Sequence, residues 1–138
     1  MAVAGLCLYP SLLDNPVRGI LQKIEFVSKE TVPERGRWFV SGITNKSNSS
    51  FLENKTLVME LFLALMNFGL KNSISNFICL SKSNIGEILT ELGVPPLHLY
   101  PRVTKEPSGL TINKIEVSYT ALRFLEKRWN EEITNFAY

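Results

Sequence analysis

The chain has 138 residues, 45% of them hydrophobic and 20% charged, with a formal net charge of +2. That composition excludes the low-hydrophobicity, high-charge regime of disordered chains, and the length suits one domain, residues 1–138, built on one core. Basic and acidic residues are interspersed, which argues against a dedicated polyanion binder and leaves only basic patches that folding itself would gather. Cys7 and Cys79 each sit between apolar neighbours and read as buried free thiols, not as a disulfide framework.

Met1 to Leu13 is apolar, but it lacks a basic leading region and carries Pro10, so it reads as part of the mature protein and not as a signal peptide. Residues 1–16 are therefore expected to form an apolar N-terminal arm, and the chain to be intracellular (cytoplasmic or nuclear) and not secreted. On that expectation the sequons at Asn45, Asn48 and Asn54 are a polar loop and not glycosylation sites.

Asp14-Asn15-Pro16 signals a turn. Beyond it Ile20, Gln22, Ile24 and Phe26 alternate with Leu21, Lys23, Glu25 and Val27, a period of two that predicts a strand. Pro33 to Gly36 ends it, and Arg37 to Thr44, with Trp38, Phe39, Val40 and Ile43, predicts a second strand and hence a hairpin.

Lys55 to Leu70 is a helix apolar on nearly every side, with Glu60 and Asn67 its polar interruptions. Its sixteen residues would span roughly 24 Å, short of a bilayer's hydrocarbon core, so a buried central helix is expected and no membrane span. Such a helix calls for cover on all sides, from a second subunit if the chain itself falls short.

Ser73 to Leu80 reads as a short buried strand. Ser83 to Leu92 reads as a helix, with Ile85, Ile88, Leu89 and Leu92 at helical spacing and Gly93 as its stop. Residues 93–109 hold four prolines and read as a proline-rich loop. Ile115, Val117 and Tyr119 predict a late strand, and Leu122, Leu125, Trp129, Ile133 and Phe136 an amphipathic closing helix. The expected fold is α+β: a small antiparallel or mixed sheet, from the N-terminal hairpin and the late strand, packed on one face against the central apolar helix and the C-terminal amphipathic helix.

No motif for catalysis, metal ligation or phosphate binding occurs. The single histidine, His98, has no acidic or thiol neighbour close in sequence, so no catalytic residue, metal site or cofactor is assigned. Ser83 to Val94 resembles the first helix and turn of helix-turn-helix DNA-binding domains, but Pro95, Pro96 and Pro101 deny it a recognition helix, which leaves an amphipathic core helix. In general layout, a small α+β domain with an apolar arm and mild basicity, the chain loosely resembles matrix or accessory proteins of RNA viruses.

These features predict a non-enzymatic structural or interaction protein that self-associates or binds a protein partner. Its contacts would be Leu6, Leu8 and Tyr9 of the arm and Leu97, Leu99 and Tyr100 of the proline-rich loop. The first alternative is a nucleic-acid or anionic-surface binder using Lys29, Arg35, Arg37 and Trp38, with Arg123 and Lys127 on the last helix. The second is a small enzyme whose site is assembled only by folding, which a pocket holding His98 beside a carboxylate would favour.

Overall fold

The computed structural model describes residues 4–26, 28–45, 55–81, 85–101 and 110–136. Five strands form one mixed sheet: β1 (Ala4–Pro10), β2 (Arg37–Asn45), β3 (Asn76–Ser81), β4 (Leu97–Tyr100) and β5 (Thr111–Glu116), in the order β1-β2-β3-β5-β4. β2 and β3 run parallel, and the other neighbours are antiparallel. The helices are α1 (Pro16–Lys23), α2 (Lys55–Lys71), α3 (Ile85–Glu91) and α4 (Tyr119–Phe136), with a 3-10 turn at Lys29–Thr31.

Two expectations fail at the N-terminus. The apolar arm is strand β1, and its partner is β2, so no hairpin begins at Ile20. The predicted first strand is instead helix α1. Pro16 opens that helix, where a missing N–H costs nothing, and the Asn15 side chain accepts the Arg18 backbone N–H at 3.1 Å. Val17 and Leu21, four apart, are the residues it buries. Over so short a run the alternating and helical patterns share Leu21 and Ile24, and the cap decides between them.

Strand alternation divides the core in two. Phe77 and Cys79 of β3, with Val40 and Ile115, face α2, α3 and α4; Ile78 and Leu80, with Phe39 and Ile112, face α1. Helices thus cover both faces, not one. Burial pushes the Cys79 thiol up to about 12, so it is an inert core group, whereas Cys7, expected to be buried, is exposed on the edge strand.

Helix α2 lies at the centre of the larger core, with Val58, Met59, Phe62, Leu65 and Met66 buried. It is not buried all round. Glu60, Ala64, Asn67 and Lys71 form an exposed stripe at helical spacing, so this chain's own sheet and α4 provide the cover it needs. Its last turn comes very close to the sheet: a Cβ on Gly69 would lie 3.0 Å from both Val117 methyls and 3.1 Å from Phe77.

Within the proline-rich stretch, Leu97–Tyr100 is the edge strand β4, short and bounded by Pro96 and Pro101, a composition that edges tolerate. Residues 102–109 of that stretch, residues 46–50 of the polar loop, and Ser83 and Asn84 before α3 lie outside the described residues. No described helix is long and apolar enough to cross a membrane.

Gly69→Ala is expected to destabilise the protein by about 1–3 kcal/mol through overpacking, read as a lower denaturant midpoint with unchanged slope. An unchanged midpoint would mean that α2 does not press on the sheet there.

Candidate functional site

The central strands are fastened at one end and open at the other. At the start of the parallel pair Arg37 lies opposite Asn76, and the Arg37 Nε donates to Asn76 Oδ1 at 3.0 Å. The backbone N–H of Ser75 adds a bond to Gly36 O at 2.8 Å. The register then runs to Val40 opposite Cys79. Among the described residues it goes no further, although β2 continues to Asn45 and β3 to Ser81.

β2 also bulges where it leaves β3. Against β1, the step from Ser41 to Thr44 matches the shorter step from Cys7 to Gly5, so β2 carries one extra residue there. A bulge twists a strand and stops its pairing. The pairing of these neighbouring parallel strands therefore ends at their carboxyl ends, the side on which open sheets with crossover helices bind ligands. Gly42, a lone glycine inside an apolar strand pattern, is the sequence signal that marks it.

The end of this register is polar on the α1 side. Ser41 stands opposite Cys7, and Tyr9 lies one alternation further along the same face of β1. Hydrogen bonding to Cys7 and desolvation push the Tyr9 hydroxyl above its ordinary value, against a smaller opposing hydrogen bond with Ser41. On the opposite face, Val40, Cys79 and Ile85 belong to one apolar cluster.

A second opening lies two strands away. A cleft of about 520 Å³ is lined by Gly86, Glu87, Thr90, His98 and Asn113, with Glu91 and Pro96. His98 Nε2 donates to Pro101 O at 2.7 Å, and Nδ1 meets the amide oxygen of Asn113 at 3.3 Å. Folding therefore does place His98 in one cleft with carboxylates, a juxtaposition that the residues around it in sequence do not reveal. Among the described residues, no group of three or more His, Cys, Asp or Glu is placed to hold a metal ion.

The residues singled out as protein contacts mostly face inward. Leu6 and Leu8 pack against the larger core, and Tyr9, Leu99 and Tyr100 against the smaller, where Phe26 and Tyr100 meet edge-on at 5.4 Å. Leu97 alone of the six is strongly exposed, at 54%. The basic-aromatic group is likewise scattered. Arg37 is 4% exposed, and its guanidinium also donates to Val32 O at 2.7 Å and pairs with Glu34 at 3.3 Å, so it is not available to a polyanion. Trp38 points to the other face, against Phe68 at 5.6 Å. Lys29 and Arg35 stay exposed on the α1 side, and Arg123 and Lys127 lie on the outer face of α4.

Beside Arg37 a second ion pair fastens the 3-10 turn to β5, with Lys114 Nζ 2.7 Å from Glu30 Oε2 and 3.2 Å from Glu116 Oε1. The hydrogen bond to Lys114 holds the Glu30 carboxyl below its ordinary value, and the same bond raises Lys114.

No family model and no curated protein matches the chain. Solved structures do. The CoA-dependent acyl-homoserine lactone synthase BjaI, with MTA, superposes with a TM-score of 0.67 at 16% identity, over 93% of this chain and 59% of that one. For the CoA-dependent synthase MesI the values are 0.65, 16%, 93% and 63%, and for the AHL synthase LasI 0.72, 14%, 89% and 62%. The chain spans about three fifths of the length of these structures. At such identities the likeness shows the fold alone, the fold of these acyl-homoserine lactone synthases. It overturns the expectation of a non-enzymatic, self-associating, viral matrix-like protein, which rested on the absence of a motif. Of the readings weighed from the sequence, the fold-assembled enzyme is the one this likeness favours.

The ion-pair geometry fixes a pH dependence. Glu30, lowered in the folded state, contributes stability that is present above the ordinary carboxyl range and is lost as pH falls below about 4. Glu30→Gln should therefore be less stable than the parent at neutral pH and should lose less stability on acidification. Parallel pH profiles of the denaturant midpoint would contradict this.

Proposed function

We propose that this chain is an acyltransferase-type enzyme that takes an acyl thioester of coenzyme A at the parting between β2 and β3. The observation that carries the reading is the bulge in β2 where its pairing with β3 stops, in a fold shared with CoA-dependent acyl-homoserine lactone synthases. One of those, BjaI, has been solved with SAM and isopentyl-CoA.

Among the described residues the register of β2 with β3 ends at Val40, and an extended chain bearing amides can add beside a strand there as a further strand would. The pantetheine arm of coenzyme A is such a chain. Ser41, just past the end of the register, supplies a hydroxyl for polar groups of the donor, with Tyr9 on the same face of β1, and the apolar cluster of Val40 and Cys79 on the other face favours its acyl part.

In the transfer an amine nitrogen attacks the thioester carbonyl carbon. The C–S bond breaks, and the thiol leaves with the proton that the amine loses. This chain's contribution is to bind and orient the donor and to hold water away from the carbonyl. Because the chain spans only part of the length of the structures it resembles, the proposal for its described residues is confined to the donor. A coenzyme A thioester is an intracellular metabolite, which suits an intracellular chain.

Titration calorimetry with isopentyl-CoA tests this directly. Saturable binding between about 1 µM and 1 mM is expected. Absence of saturable binding of the thioester would overturn the reading.

A further inference from the structure

Asn113 is a polar residue where the pattern of β5 calls for an apolar one. It lies between Ile112 and Lys114, faces the α2–α3–α4 side, and is only 1% exposed. Burying an amide is costly unless its hydrogen bonds are made, so a fixed polar contact at this point has a structural consequence. The contacts run to two different elements. Asn113 Oδ1 is 3.3 Å from His98 Nδ1 on β4, and a Cβ on Gly86 of α3 would lie 3.1 Å from the same oxygen. A side chain at residue 86 would press on that oxygen, so the glycine lets the helix lie close over β5.

α3 begins four residues after β3 ends, past the carboxyl end where the pairing of β2 with β3 stops. Its first residue, Ile85, is fully buried in the cluster that contains Val40 and Cys79, the last pair before the parting. The contact of Asn113 with Gly86 thus bears on a helix whose first residue shares its core with the last residue pair of the β2–β3 register. His98, held at its other nitrogen by Pro101 O at 2.7 Å, ties the edge strand into the same contact.

We infer that Asn113, latched by His98 and seated against Gly86, is a positioning residue for the thioester site, acting through α3 and not by touching the donor. This rests on the reading above of β2 and β3 as the donor site. It gives the His98 cleft a role distinct from acid–base chemistry: the imidazole is a clamp between the Pro101 carbonyl and the Asn113 side-chain amide.

The chain has one histidine, so the ring resonances of His98 report on the latch without ambiguity. The experiment compares the parent chain, Asn113→Ala and His98→Ala by thermal midpoint, by affinity for isopentyl-CoA and, in the parent, by the ring ¹⁵N signals during the titration. The parent's ring signals should shift with the same saturation as binding, and Asn113→Ala should bind on the order of tenfold more weakly. His98→Ala should weaken binding in the same direction, and it serves alone if Asn113→Ala does not fold. A parent that binds while its ring signals stay fixed, with variants of unchanged affinity, would overturn the inference and leave the donor site standing. A parent that does not bind isopentyl-CoA would refute the donor site itself, and the inference with it.

Discussion

Parallel neighbours in a sheet cannot be joined by a tight turn, and the pairing of β2 with β3 therefore imposes a crossover. α2 is that crossover, which is why the most apolar segment of the chain lies across the middle of the sheet. The remaining elements are arranged around this unit. β1 closes one side of the pair and β5 with β4 the other, α4 covers α2, and α1 takes the opposite face.

The same pair has two unlike ends. At its start a buried arginine is bonded to Asn76, to a backbone carbonyl of the preceding segment and to Glu34, a set that is costly to disturb because any loss leaves a charge buried without its partners. At its finish the register stops and β2 bulges. A firmly joined base with an opening above it lets a site be precise without being closed. Polar contacts lie on both faces: the Glu30–Lys114 pair holds the 3-10 turn on one side, and Asn113 meets His98 on the other.

Segments whose pattern was long or locally capped were legible in the sequence. The helix from Lys55, the strand from Arg37, the strand within Ser73 to Leu80 and the closing helix all appear as expected, as does the mixed α+β sheet. The misread segments are short or depend on distant partners. Asn15-Pro16 contained the cap of α1, but the alternation from Ile20 onward masked it. β1 and β4 become strands only by pairing with β2 and β5, and nothing local distinguishes them from an arm and a loop. The site escaped for a related reason. A motif search looks for side chains, whereas the parting is a property of backbone register with Gly42 as its one trace, and Asn113 and His98 come together only when β4 pairs with β5. A missing catalytic signature was therefore no argument for a structural protein.

The central claim is that β2 and β3 part to receive an acyl thioester. A crystal structure of the chain with isopentyl-CoA tests it most directly. The account predicts the pantetheine arm running between the two strands just past Val40 and Cys79, hydrogen-bonded to their backbone. Strands paired through to Ser81, with the thioester bound elsewhere or not at all, would contradict it.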